Sequence, residues 1–207
     1  FTSAHPYPIN LIQINANDVL RFAQLVGADY FKNRYNIGFW AWELPEFPPE
    51  WVKAFSLFHE IWTYSDYCVS AIRRVSPIPV IKMMPTVSLP EVTLSREQLS
   101  IPPDKFIFLF MFDFYSRMAR KNPLAVVEAF KTAFGNHPTN VVLILKCSNS
   151  DRFPKERNHL FQAIANCSAI QIIDGYLSRE EINGLVYNCD CYISLHRSEG
   201  FGLTMAE

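Results

Sequence analysis

The chain has 207 residues, room for one or two domains, and its 49% hydrophobic and 19% charged residues describe a globular protein with ample core material. A formal net charge of −1 predicts no broad electrostatic grip on nucleic acid. No apolar run reaches the roughly 18 residues a membrane span needs, which leaves peripheral membrane contact through aromatic patches open.

In chain order, Asn10 to Asn15 is a short apolar run suited to a strand, and Ala16 to about Val26 is helical. Tyr35 to Trp40 is a second strand, and the proline-rich stretch Pro45 to Pro49 leads into a helix from Pro49 to about Phe58. Glu60 to Ser65 forms the next strand, with Ser65 capping a helix to about Arg73, and Pro79 to Met83 follows as another strand. From about Pro85 to Pro103 the composition shifts to Pro, Ser, Thr and Glu, as expected of an interdomain linker. Lys105 to Phe112 is a continuous apolar strand of the fully buried kind, followed by a helix from Pro123 to Phe134. Asn140 to Lys146 is a strand, Phe153 to Asn166 a helix and Ile170 to Ile173 a strand. A helix from Ser178 to Tyr187 and a short buried strand Cys191 to Leu195 complete the alternation. Strands alternating with helices point to a parallel sheet covered on both faces.

The five cysteines, Cys68, Cys147, Cys167, Cys189 and Cys191, form no CxxC pair and no Cys/His cluster with metal spacing. An odd number set mostly in apolar stretches reads as reduced, buried thiols of a cytoplasmic protein. Asn166-Cys167-Ser168 matches the glycosylation acceptor pattern, and without a secretory signal it reads as chance. Phe1 is not an initiator methionine, and the chain stops at Glu207 inside a helix that has barely begun. Both ends are expected to be cut and the chain to be a fragment, inactive by itself.

Two stretches carry chemistry. The segment Glu199-Gly200-Phe201-Gly202-Leu203-Thr204-Met205-Ala206-Glu207 holds two carboxylates eight positions apart, with two glycines behind the first. Gly200 and Gly202 favour a tight loop and then a helix from Leu203, with Glu199 at the mouth of a cleft and Glu207 in the first two turns. Strand, Gly-rich loop, helix is the step at which open α/β sheets bind ligands, here suiting one with an anionic centre and hydroxyls at both ends, such as a nucleotide sugar. A strand-to-helix turn that merely happens to be rich in glycine is the competing reading. The other stretch, Asp113 to Pro123, puts Arg117, Arg120 and Lys121 beyond a buried strand, where Arg120 and Lys121 are placed to neutralise a diphosphate. Arg117 reads as a solvated basic residue. No Asp-x-Asp pair or carboxylate cluster suggests a divalent metal, so cations and helix amides are expected to carry the electrostatics.

Taken together, Glu199 to Glu207 (an E-x7-E pattern), Ser116 to Pro123 with its Arg120-Lys121 pair, and Gly175-Tyr176-Leu177-Ser178-Arg179-Glu180-Glu181 resemble the glycosyltransferases of the GT-B fold, in the large retaining group called group 1 or family 4. A fourth block, Tyr35 to Pro45 onward to Ile61-Trp62, looks like a subset of that group, and the resemblance covers essentially the whole chain. It implies an α/β protein with two Rossmann-like, doubly wound parallel-sheet domains, both incomplete here. Residues 1–88 would close the acceptor-side domain, 89–104 would be the linker, and 105–207 would be the donor-binding domain, truncated at its C-terminus.

By the same resemblance, Glu199 contacts hydroxyls of the transferred sugar or the face where positive charge develops, and Lys121 and Arg120 neutralise the departing diphosphate. Ser116 and the backbone of Gly200, Phe201, Gly202 and Leu203 hold the donor, Glu207 accepts from the ribose hydroxyls, and Gly175, Tyr176 and Leu177 line the base pocket. The nucleotide-diphosphate sugar is the co-substrate, with no further cofactor and no metal, and the acceptor is a saccharide or a lipid-linked molecule. Two departures stand out. The family's Arg six residues before the Lys is Tyr115 here, and its first-domain His is replaced by Trp40, Trp42 and Glu43. Trp42 and Glu43 are the acceptor-side candidates, with interface packing as the competing reading for the tryptophans. His59, His137 and His159 look peripheral, while His196 flanks the Glu199 loop. Other readings on the same fold are a nucleotide-sugar 2-epimerase and a nucleotide-sugar-binding module without catalysis.

Overall fold

The computed structural model describes residues 6–88 and 91–207. The expected domain and linker boundaries at the first five residues and at Leu89 and Pro90 lie outside the described residues. Two compact units form: one holds the chain up to Thr86 together with Glu199–Gly202, the other Val87–Ser198 with Leu203–Glu207.

In the first unit, strands β1 (Ile9–Ile12), β2 (Tyr35–Phe39), β3 (Glu60–Thr63) and β4 (Val80–Lys82) pair in parallel in that order. Helix α1 (Ala16–Val26), a 3₁₀ helix (Pro49–Leu57) and α2 (Asp66–Arg73) connect them. Each strand is laid down on the same side of its predecessor, so right-handed crossovers send the three connections to one face. There Val19, Phe22, Phe55 and Ile72 pack on Ile12, Ile61 and Val80. Trp40 lies at the centre of this core, 1% exposed, stacked on Phe47 with ring centroids 5.9 Å apart. Cover on both faces was expected, but with all three connections on one side the opposite face exposes Ile9, Leu11 and Ile81 among the described residues. Two buried amides fasten the sheet's end: Asn10 donates to Asn36 at 2.8 Å, and Asn36 donates to the Phe31 carbonyl at 2.9 Å.

The helix expected from about 49 to 58 forms over Pro49–Leu57 and is a 3₁₀ helix. Its tighter winding, about three residues per turn, brings Trp51, Ala54 and Leu57 to one side, where all three pack on the core. The expected strands at 35–40 and 60–65 end one and two residues early. Ser65 thereby turns outward and caps α2, its hydroxyl accepting from Cys68 N.

In the second unit β5 (Phe106–Asp113), β6 (Val141–Ser148), β7 (Ile170–Asp174) and β8 (Cys191–Tyr192) form a parallel sheet in the order β7-β6-β5-β8. Helices α3 (Met118–Lys121), α4 (Pro123–Phe134), α5 (Pro154–Ile164), α6 (Arg179–Asn188) and α7 (Leu203–Ala206) accompany it. Val126, Val127 and Phe130 of α4 and Leu160 of α5 pack with Phe110, Phe112, Leu143 and Leu145. Leu185 of α6 and Ile101 pack with Ile107, Leu109, Val142 and Ile144 in a separate cluster. With clusters on both faces, all eight residues of β6 are buried, the pattern of a central parallel strand. The chain winds from β5 to β7 in one direction and then returns to place β8 on the other side of β5, a topological switch point.

The final strand was expected to be buried over 191–195. It pairs over Cys191–Tyr192, is partly exposed, and leaves Leu195 40% exposed, because β8 borders the described sheet and pairs on one side. The helix expected at 153–166 spans Pro154–Ile164. Much of the expected linker is docked on the second unit: Ile101 is buried, and Leu94 and Leu99 lie against Gly184 of α6. Arg96 fastens it, donating to the Lys105 and Asn188 carbonyls and pairing with Asp190 at 2.9 Å. Asp190 also accepts from Ile107 N, and this backbone bond above all holds its carboxyl below the ordinary value.

Candidate functional site

Open parallel sheets offer their C-terminal edge to ligands, and the second unit's edge is built from unusual backbone. Arg117 and Asn122 after β5, and Asn149 after β6, are non-glycine residues with φ of 62°, 60° and 63°; Gly175 after β7 has φ 122°. Left-handed backbone at residues other than glycine is costly and concentrates where function demands it.

The β5 exit begins with Asp113, whose carboxylate accepts from Tyr115 N at 2.7 Å and opens the turn Phe114–Ser116. The Arg117 carbonyl then starts α3 by accepting from the amides of Arg120 and Lys121. Asn122 reverses the chain and Pro123 takes the first position of α4, as its missing N–H permits. This exit is laced to the β8 exit across the switch point. The Arg120 guanidinium donates to the Ser198 carbonyl at 2.9 Å and to Ser116 O at 3.3 Å. Arg197 N donates to Arg120 O, the Arg197 guanidinium to Ala119 O, and Asn122 to Leu195 O. Arg120 therefore braces the loop that runs into Glu199, while Lys121, partly buried, ends α3 beside it.

A second group joins β5, β6 and β7. Ser148 and Asn149 both donate to Asp113, at 2.8 and 2.7 Å, and the Tyr176 hydroxyl donates to Asn149 Oδ1 at 2.8 Å. Ser150 Oγ is bonded to the Asp174 carboxylate. Lys146, 6% exposed, donates to the Gly175 and Cys147 carbonyls at 2.7 and 3.0 Å. Burial lowers the Lys146 ammonium's pKa, partly offset by Cys147, Asp174 and Asp113. Burial, reinforced by Asp174, pushes the Cys147 thiol up to about 12. Asp113, Lys146, Asn149 and Asp174 escaped the sequence reading. The available signal was a lysine interrupting the apolar run Val141 to Cys147.

Gly175, Tyr176 and Leu177 follow β7 in succession through a bend at Gly175, and Tyr176 is 81% exposed. Glu207 receives the Arg179 guanidinium of the same unit, so its carboxylate is already paired. Leu203 opens α7 as expected, a helix of one turn.

Glu199, Gly200, Phe201 and Gly202 belong to the first unit. The Gly200 carbonyl accepts the Ser65 hydroxyl at 2.7 Å, and a Cβ at Gly200 would come within 3.4 Å of the Trp42 carbonyl. Gly202 has φ 75°, the left-handed backbone anticipated for the loop. Trp42 packs edge-on against Trp51 and Phe47, with centroids 5.1 and 5.6 Å away, and its indole donates to Glu46 O. Glu43 is partly buried beside it, its carbonyl accepting from the Tyr67 hydroxyl at 3.4 Å. His196 lies 5.2 Å from the Phe110 ring, and His59 accepts from Asn36 N. Among the described residues no three His, Cys, Asp or Glu side chains gather to hold a metal ion, and no helix is long and apolar enough to cross a membrane.

No protein-family model matches the sequence, and no curated protein matches it. Solved structures do match. Anabaena Alr3699/HepE, crystallised with UDP and glucose, superposes with a TM-score of 0.70 at 13% identity, over 95% of this chain and 55% of that one. The UDP-forming α,α-trehalose-phosphate synthase of Burkholderia xenovorans gives 0.65 at 12% identity, over 97% and 55%. A glycosyltransferase of Rickettsia africae gives 0.62 at 15% identity, over 88% and 55%. The chain spans about half the length of each of these structures. The likeness is one of fold: two four-stranded parallel sheets with flanking helices, the α/β architecture of the GT-B glycosyltransferases.

Proposed function

We propose that the protein transfers a sugar from a nucleotide-diphosphate sugar to a saccharide or lipid-linked acceptor, with retention of configuration and without a metal. The observation that carries this reading is the C-terminal edge of the second unit. At the switch point, Arg120 ties the β5 exit to Ser198, the residue directly before Glu199. The turn that carries Arg120 and Lys121 is thereby held to the β8 exit of the same unit. The fold of HepE, solved with UDP and glucose, supports the same substrate class.

In this reading Lys121, assisted by Arg120, offsets the charge that builds on the departing diphosphate. These preorganised cations stabilise the transition state more than the ground state. Glu199 contacts the transferred sugar, with Ser116 and the backbone of Gly200 to Leu203 around the donor. Glu207, oriented by Arg179, takes the ribose hydroxyls, and Gly175 to Leu177 form the base side. Trp42, partly buried against the first unit's core, and Glu43 beside it are the acceptor-side candidates. A cytoplasmic location belongs to the same reading, supported by five free thiols.

The test is turnover by the complete protein with UDP-, GDP- and ADP-sugars, with and without chelator, alongside Glu199→Gln and Lys121→Ala. Chelator-insensitive transfer from one donor, reduced by about a hundredfold or more in both variants, is expected. Donor binding without turnover would make the protein a nucleotide-sugar-binding module, and conversion of the donor's sugar without transfer would make it an epimerase.

A further inference from the structure

We infer that Lys146 and Asn149 are positioning residues that hold the Gly175–Tyr176 turn as a preformed platform on which the base of the donor nucleotide stacks. The inference rests on the proposed reading of the second unit as a nucleotide-sugar site. Tyr176 is 81% exposed, yet its hydroxyl is tethered at 2.8 Å to Asn149 Oδ1. The tether has a defined sense. The Asp113 carboxylate can only accept, so the Asn149 amide nitrogen faces it at 2.7 Å and the amide oxygen is left for Tyr176. Asn149 reaches both partners from a left-handed backbone with φ 63°, a conformation asparagine tolerates better than most residues.

The turn is also tied from beneath. Gly175 N donates to the Cys147 carbonyl at 3.1 Å, and Gly175 O accepts from the Lys146 ammonium at 2.7 Å. Both backbone groups of a residue with φ 122° are therefore engaged by the end of β6, and a buried cation holds one of them. An aromatic face serves any base, since every base offers a π-face, and a platform ordered beforehand spares the ligand the cost of ordering it. Neither a buried lysine nor an asparagine of the β6 exit touches the ligand in this scheme; both act through the turn.

Binding of UDP, GDP and ADP to the complete protein is measured by calorimetry, and the tightest is carried forward. Tyr176→Ala should raise its Kd about tenfold or more, by loss of the stacking face. Tyr176→Phe keeps the ring and cuts the tether, with an expected rise of about fivefold. Asn149→Gly, which keeps the left-handed backbone, should give the same rise, and the double variant Asn149→Gly/Tyr176→Phe no more than either alone. Lys146→Met should also weaken binding. A general loss of stability would not produce that non-additivity. Wild-type affinity in Tyr176→Phe and Lys146→Met, or fully additive effects of Asn149→Gly and Tyr176→Phe, would overturn the inference and leave the donor site standing. No binding of any nucleoside diphosphate would remove both.

Discussion

Asp113 and Ser148, register partners at the ends of β5 and β6, are joined side chain to side chain at 2.8 Å. The same carboxylate accepts from Asn149 at 2.7 Å and from Tyr115 N at 2.7 Å, so one residue closes the exits of two central strands. Asp113→Ala strips three donors of their acceptor and should destabilise the protein by about 2–3 kcal/mol. Asp113→Asn keeps one acceptor oxygen and should recover part of that. Urea unfolding of both variants checks this, and an unchanged midpoint in Asp113→Ala would show that the three bonds contribute nothing.

Cys147 gives the fold an alkaline weakness. The unfolded thiol releases its proton near 9.0, whereas the buried one holds it to about 12. Raising the pH between those values therefore favours the unfolded chain, so stability present below pH 9 declines toward pH 12. Lys146 works in the opposite sense below its ordinary 10.5, because burial favours its neutral form. Unfolding midpoints from pH 8 to 11 should fall more steeply in the parent than in Cys147→Ala. Parallel slopes would remove Cys147 from the account.

Gly38 of β2 is there for space. A Cβ at this position would lie 2.9 Å from Ile61 Cδ1, 3.1 Å from Trp40 Nε1 and 3.2 Å from Phe58 Cδ1. All three neighbours belong to the first unit's buried core and have little room to yield. Gly38→Ala should cost about 1–3 kcal/mol by overpacking, read as a lowered melting temperature and altered tryptophan emission.

Helix α6 starts with a complete capping box. The Ser178 hydroxyl accepts from Glu181 N, and the Glu181 carboxylate accepts from Ser178 N at 2.7 Å. Ser178→Ala should cost about 1 kcal/mol. The bond to Ser178 N also lowers the Glu181 pKa from its ordinary 4.5. Its stabilising contribution is thus present above that value and disappears as the pH falls through the depressed folded value. Acid titration of the parent against Glu181→Gln measures it, and identical acid limbs would show that the carboxylate's charge plays no part.

Local order in this chain was written in short-range signals. The alternation of apolar runs with punctuated helices announced two parallel sheets. Pro123 marked the first turn of α4, Ser65 marked a cap, and Leu203 marked the start of α7. These depend on neighbours within a few residues, and the chain carries them wherever it goes. Pro49–Leu57 marks their limit, because packing of Trp51, Ala54 and Leu57 selected the tighter helix there.

The site was legible in its residue types and not in its partnerships. Arg120 and Glu207 stood out as a cation and a carboxylate, yet Arg120 braces Ser198, 78 positions away, and Glu207 is paired with Arg179. Lys146 and Asn149 drew no notice, since nothing in a linear sequence says that β6 is central, or that its exit lies beneath Gly175 and Tyr176. The sequence by itself determined which segments form strands and helices and which residue types crowd the strand exits. Strand order and register, which exist only once the sheet is assembled, decided which of those side chains meet.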